Sequence, residues 1–114
     1  MSRLTDPAVM SRLCEALQEW SCEGFIQWKR LPAEWLRKNL EGFTQKDIGR
    51  MMHEHVAGGG EIDQVTETRG EYRHVHQYHY DLRIPIAGRL VYIETRLDDS
   101  KMGPTILVVN MHAA

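Results

Sequence analysis

Apolar residues recur at helical spacing in the first half of the chain and at alternate positions in the second half. The helical spacing predicts helices over residues 7–20, 33–40 and 45–56. Asp6-Pro7 has the composition of a helix start, and Thr44 with Asp47 three residues later resembles a capping box. The three glycines at 58–60 then end the helical half decisively.

After these glycines, the alternating pattern predicts four strands over residues 61–69, 74–86, 89–97 and 105–112. Ala87-Gly88 is the predicted two-residue hairpin turn between the second and third strands. Helices followed by an antiparallel meander indicate an α+β fold. We therefore expect one domain over residues 1–114, with N-terminal helices packed on one face of a four-stranded antiparallel sheet.

Side chains alternate between the two faces of a strand, so sequence parity sorts them. Leu82 and Ile84 are expected to point toward the helices. Their neighbours Asp81 and Arg83 are expected to point toward the other, partly open face. That open face is predicted to collect Gln77, His79, Asp81, Arg83, Tyr92, Glu94, Arg96, Asn110 and His112.

Composition and charge narrow the class of protein. The chain has 114 residues, 26% of them charged, and a net charge of −2, which is ordinary for a soluble protein. No apolar run approaches the roughly 20 residues that span a bilayer, and the N-terminal residues lack a secretory signal pattern. Two cysteines do not make a disulfide framework. We expect a cytoplasmic protein without membrane contacts.

The predicted open face suits acid–base chemistry on an RNA phosphodiester. Cleavage without a metal needs a base for the 2′-hydroxyl, an acid for the leaving 5′-oxygen and a cation for the phosphorane. His79, His112 and Tyr92 are titratable candidates, and Arg83 or Arg96 could supply the cation. This chemistry requires no cofactor.

Several segments resemble the MqsR toxins, which are small bacterial mRNA interferases with a RelE-like fold. The resemblance lies in Gln77, in Asp81-Leu82-Arg83 and in three longer runs, and it covers roughly residues 33–112. The three runs are Gln45–Met52, Gly88–Thr95 and Leu107–His112. It implies RNA as the substrate, with a cognate antitoxin protein and a second copy of the chain as candidate partners.

The resemblance also implies site residues. The family's basic helix residue falls on Arg50 and its C-terminal basic residue on His112, where the family has lysine at both places. Its glutamine falls on Gln77 and its tyrosine on Tyr92. With His79 as a third proton-handling residue, these form the predicted catalytic set. The residues expected to contact the substrate are Arg83, Arg96, Lys46 and Tyr78.

Two other functions stay open at this point. His74, His76 and His79 could form a metal-binding cluster for a hydrolase, although His79 points away from the other two on a regular strand. Alternatively, the chain is a non-enzymatic binding or immunity protein, which its negative net charge favours because an acidic surface can mask a basic partner.

Overall fold

A computed structural model describes residues 2–114 and shows an α+β fold. Three helices and a six-stranded mixed sheet make up these residues. The elements in chain order are β1 Ser2–Arg3, α1 Pro7–Leu17, β2 Ile26–Trp28, α2 Arg30–Asn39, α3 Gln45–Ala57, β3 Ile62–Thr66, β4 Tyr78–Ile86, β5 Arg89–Ser100 and β6 Gly103–Ala113.

The sheet has the strand order β1-β3-β4-β5-β6-β2. Strands β3 to β6 form the predicted antiparallel meander. Two short edge strands, which the four-strand prediction lacked, extend it: β1 pairs antiparallel with β3, and β2 pairs parallel with β6. The parallel pair arises because the chain reaches β2 from α1 and leaves it directly into α2.

The helices cover one face of this sheet. Helices α1 and α2 pack against β6, and α3 packs against α1 and β4. The core between the layers is apolar, and Leu82, Ile84, Val91 and Ile93 face into it from the two central strands. None of the helices within residues 2–114 is long and apolar enough to cross a membrane.

Local signals predicted the starts of α1 and α3 correctly, whereas α2 begins at Arg30, three residues before its predicted start. The side chain of Asp6 caps α1, and Thr44 with Asp47 forms the predicted capping box at the start of α3. The predicted hairpin turn is also confirmed. Ala87 and Gly88 both have positive φ, at 52° and 78°, as a two-residue turn between strongly twisted strands requires.

The strand boundaries differ from the prediction in one important place. β3 ends at Thr66 and β4 begins at Tyr78, so the long histidine-rich strand predicted from residue 74 is wrong in its first four residues. Residues 70–75 instead form turns. A backbone hydrogen bond of 2.9 Å, from the amide of Glu67 to the carbonyl oxygen of Gln77, joins the two ends of the segment between β3 and β4. We call residues 67–77 the covering loop, because it lies over the polar face of the sheet.

Candidate functional site

The face of the sheet opposite the helices carries one row of polar side chains across three strands. In the sheet register Arg83 pairs with Tyr92, and Tyr92 pairs with His112. The neighbouring row consists of Asp81 and Glu94, which pair in the same way. The prediction from parity that these residues share one face is therefore confirmed.

The first row is the more exposed one. The rings of Tyr92 and His112 stack with their centroids 4.4 Å apart and their planes inclined by 21°. The guanidinium carbon of Arg83 lies 5.5 Å from the centroid of the Tyr92 ring on the other strand. Arg83 also pairs with Asp63. Tyr92 is thus half-buried between a cation and an imidazole, while Arg83 and His112 are exposed to solvent.

The hydroxyl of Tyr92 donates to Glu94 Oε1 at 3.3 Å, and Asp81 is close enough to affect its ionisation. Burial, together with the negative charge of Asp81, raises the pKa of Tyr92 far above its usual value. The phenol therefore keeps its proton at neutral pH, and the raised pKa makes it a weaker acid than an ordinary tyrosine.

Asp81 connects Tyr92 to a buried histidine. His79 Nδ1 lies 2.7 Å from Asp81 Oδ1, and both residues are almost completely buried. Burial raises the pKa of the Asp81 carboxyl above its ordinary range. Asp81 therefore holds its proton to a higher pH than an ordinary aspartate does.

A buried arginine closes the polar face at its other end. Arg96 is 0% exposed. Its Nη1 lies 2.8 Å from Glu94 Oε2, and its Nη2 contacts Glu67. Arg69 pairs with the same two carboxylates. Burial alone would raise the pKa of Glu94, but hydrogen bonds from Arg69 and Arg96 outweigh it and lower that pKa.

The covering loop is the reason for this burial. Tyr72 lies over the guanidinium of Arg96, with the ring centroid 4.6 Å from its central carbon. Arg96, which we expected to contact the substrate, is thus fully buried. The covering loop closes this part of the predicted open face, whereas Arg83 and His112 of the row around Tyr92 are exposed.

The predicted histidine cluster does not form. His74 is exposed, His76 lies 2.5 Å from Asp98 on β5, and His79 pairs with Asp81. The three imidazoles thus have different surroundings because residue 74 lies in a turn, residue 76 follows it, and only residue 79 lies in β4. The metal-binding hydrolase built on these three histidines is not supported by their positions.

A different trio brings possible metal ligands together. Ligand atoms of Glu67, His79 and Glu94 lie within 4.8 Å of one another, and all three residues are buried. However, both carboxylates already pair with Arg69 and Arg96. A divalent ion would have to displace these guanidinium groups from the carboxylates, so the donor set fits an ion pair network better than a metal.

Four other predicted site residues lie away from the Tyr92 row. Arg50 and Lys46 belong to α3, whose buried residues pack in the helix-side core, and Arg50 pairs with Glu54 at 2.9 Å. Tyr78 packs against the same core. Gln77 is on the polar face but six residues from Arg83 along the chain, roughly 20 Å at strand spacing. The structure does not gather these four residues with Tyr92.

Three residues of the polar face escaped the sequence prediction, namely Glu67, Arg69 and Tyr72. A signal for the first two was present. Glu67 and Arg69 have the parity of Asp63, which puts all three on one face of the predicted strand over residues 61–69. The sequence offers Tyr72 only as a possible base-stacking residue, and its place over Arg96 could not be predicted because it depends on the turns of the covering loop. No protein-family model, no curated protein and no solved structure matches the chain.

Proposed function

We propose that the protein is an endoribonuclease that cleaves RNA without a metal ion, by transesterification at the 2′-hydroxyl. One observation carries the proposal: the exposed stack of Tyr92 on His112, with Arg83 beside it. A proton acceptor, a proton donor and a cation thereby lie in one cross-strand row, which is the set that this reaction needs.

The reaction assigns each side chain a role. His112 takes the proton of the 2′-hydroxyl through Nε2, since its Nδ1 lies 2.8 Å from the carbonyl oxygen of Ala113. The 2′-oxygen attacks phosphorus and the bond to the 5′-oxygen breaks. Tyr92 gives its proton to that oxygen, and Arg83 stabilises the charge on the phosphorane. The products are a 2′,3′-cyclic phosphate and a 5′-hydroxyl.

The buried pair of Asp81 and His79 behind Tyr92 provides further groups that can carry a proton. When Tyr92 has given up its proton, the neighbouring Asp81–His79 pair supplies another. The raised pKa of Asp81 supports this role, because its carboxyl holds a proton to a higher pH than an ordinary aspartate does. His79 thus acts through Asp81, not on the substrate.

The resemblance to the MqsR toxins supports the biological setting of this proposal. The helices followed by an antiparallel meander agree with a RelE-like arrangement. On this basis we propose a toxin of a bacterial toxin–antitoxin pair, acting in the cytoplasm, with RNA as substrate and an antitoxin protein as partner. Expression of the chain alone is then expected to arrest bacterial growth.

Incubation of labelled RNA with the purified protein in EDTA tests the proposal. Wild-type protein is expected to cleave, and His112→Ala to lose most of the activity while keeping its fold. His74→Ala is the matched control, because His74 is an exposed histidine in a turn outside the row. A folded wild type that neither cleaves RNA nor arrests growth would instead favour the non-enzymatic binding or immunity protein.

A further inference from the structure

A basic cleft adjoins the Tyr92 row at the β6 side of the sheet. It has a volume of about 340 Å³ and lies between the start of α2, the covering loop and the middle of β6. The side chains that line it and matter here are Lys29, Arg30, Arg69, Tyr72 and Asn110.

Two features of the backbone create this cleft. Trp28, the last residue of β2, packs against the core, so the next residue, Lys29, falls on the opposite, polar face. The Lys29 amide donates to the carbonyl of Val108 at 2.9 Å, which fixes it beside β6. β6 has one extra residue at Val109 opposite the Glu94–Thr95 step of β5, and bulges of this kind redirect side chains next to sites.

The accessible charge in the cleft is positive. Lys29 has no carboxylate in ion-pair range within residues 2–114, and Arg30 has only a loose contact of 3.8 Å with Glu34. The charge of Arg69 is already balanced by the buried carboxylates of Glu67 and Glu94. Since Glu71 is the acidic residue lining the cleft, Lys29 and Arg30 leave it with a net positive charge.

An aromatic ring accompanies these cations. The Lys29 ammonium lies 6.0 Å from the centroid of the Tyr72 ring, and the guanidinium carbon of Arg96 lies 4.6 Å from it. The guanidinium carbon of Arg69 lies 5.7 Å from the same ring, and Tyr72 is only partly buried. Cations that follow a phosphate backbone, next to an aromatic ring on which a base can stack, are typical of single-strand nucleic-acid grooves.

We infer that this cleft binds the nucleotide adjacent to the cleaved phosphodiester of single-stranded RNA. Lys29 and Arg30 contact its phosphate, and Tyr72 stacks on its base. Asn110 of the cleft and His112 of the Tyr92 row are two residues apart on the same face of β6, roughly 7 Å at strand spacing. One extended strand can therefore occupy both places. The assignment of the substrate rests on the proposed ribonuclease function.

Binding of a labelled single-stranded RNA with 2′-O-methyl groups tests the inference, because this RNA lacks the nucleophilic hydroxyl and cannot be cleaved. Fluorescence anisotropy over a range of salt concentrations gives the affinity and its salt dependence. We expect Lys29→Ala/Arg30→Ala to bind about ten-fold more weakly at 0.1 M salt. The slope of log affinity against log salt should shrink by roughly 0.7, since Lys29 and Arg30 contact one phosphate and each single-strand phosphate contact contributes about 0.7.

Arg37→Ala/Lys38→Ala is the matched control. It removes the same charge from the last turn of the same helix, away from the cleft, and is expected to keep the wild-type affinity and slope. Tyr72→Leu should weaken binding about five-fold or more, and Tyr72→Phe should retain it, because a phenyl ring still stacks and covers Arg96.

Equal affinities of the cleft variant and the control variant would overturn the inference, as would a wild type that does not bind the RNA. Catalysis is judged separately, by cleavage of unmodified RNA. If the wild type cleaves RNA and the cleft variant binds RNA normally, the inference about the cleft is contradicted and the proposed function stands. Cleft-dependent binding without cleavage by the wild type supports the cleft and contradicts the catalytic proposal.

Discussion

Tyr92 and His112 stack across the β5–β6 pair with their ring centroids 4.4 Å apart. The stack fixes a phenol and an imidazole side by side on an exposed face, where one phosphodiester can reach both. Aromatic stacking of this kind contributes roughly 0.5–1.5 kcal/mol beyond area burial, which is enough to favour one arrangement of two side chains.

Tyr92→Phe distinguishes the role of the Tyr92 hydroxyl from the role of its ring. The variant keeps the stack on His112 but removes the hydroxyl that donates to Glu94. We expect the single-turnover rate of RNA cleavage to fall by about 10²–10⁴, the usual contribution of a positioned acid or base. Circular dichroism should show an unchanged fold. A folded Tyr92→Phe protein with the wild-type rate would exclude the phenol as proton donor.

Arg50→Ala tests the position on which the resemblance and the structure disagree. The resemblance implies a catalytic role for Arg50, whereas the structure places it on α3, in the helix layer and paired with Glu54. We expect the cleavage rate to stay within two-fold of wild type. Stability should change by only about 0.5 kcal/mol, because exposed helix pairs contribute little. A loss of activity near that of Tyr92→Phe would mean that α3 takes part in the site.

Arg96→Met tests the buried ion pair network. The variant leaves Glu67 and Glu94 in the interior with only Arg69 to neutralise them. Removing one partner of a buried pair costs about 3–5 kcal/mol, because the remaining charge is desolvated and unpaired. Urea unfolding measures this cost. Arg3→Ala is the control: it breaks an exposed pair with Glu61 and should cost less than about 1 kcal/mol. Similar costs for both variants would contradict the network.

The pKa values of the buried carboxyl groups predict how stability depends on pH. The pKa of Glu94 is lowered in the folded state, so its contribution is complete above the ordinary glutamate pKa of about 4.3 and disappears as the pH falls through the folded-state value. We expect the free energy of unfolding to decrease below about pH 4.3, and Glu94→Gln to flatten that decrease.

Asp81 provides a control, because its pKa is shifted in the direction opposite to that of Glu94. Its folded-state pKa is raised, so it stabilises the protein most at low pH and loses that contribution as the pH rises. Asp81→Asn should therefore abolish a loss of stability with rising pH that begins near the ordinary aspartate pKa of about 3.9, mostly above the range in which Glu94→Gln flattens the curve. Urea unfolding at several pH values measures both curves. A parallel shift of the two variants, with no change in slope, would contradict the assigned pKa directions.

The sequence carried enough information to place the Tyr92 row but not its surroundings. Alternation alone put Arg83, Tyr92 and His112 on one face, because β4, β5 and β6 keep the regular pleat over these residues. The short turn at Ala87-Gly88 then set the register of the first pair.

The burial of Arg96 could not be predicted in the same way. It depends on the covering loop, where Tyr72 folds back over the sheet and Glu67 supplies a second carboxylate. Parity says which face a side chain occupies, but it does not say whether another segment covers that face. The same limit applies to β2, whose pairing with β6 depends on how α1 and α2 direct the chain.

The chemistry of the products tests the central claim most directly. A defined RNA oligonucleotide is cleaved in EDTA, its products are analysed by mass spectrometry, and the experiment is repeated with a 2′-deoxy nucleotide at the cleaved position. We expect 2′,3′-cyclic phosphate and 5′-hydroxyl ends, and no cleavage of the 2′-deoxy substrate. Products with 5′-phosphate ends, cleavage that survives the 2′-deoxy substitution, or no cleavage by the folded wild type would contradict that claim.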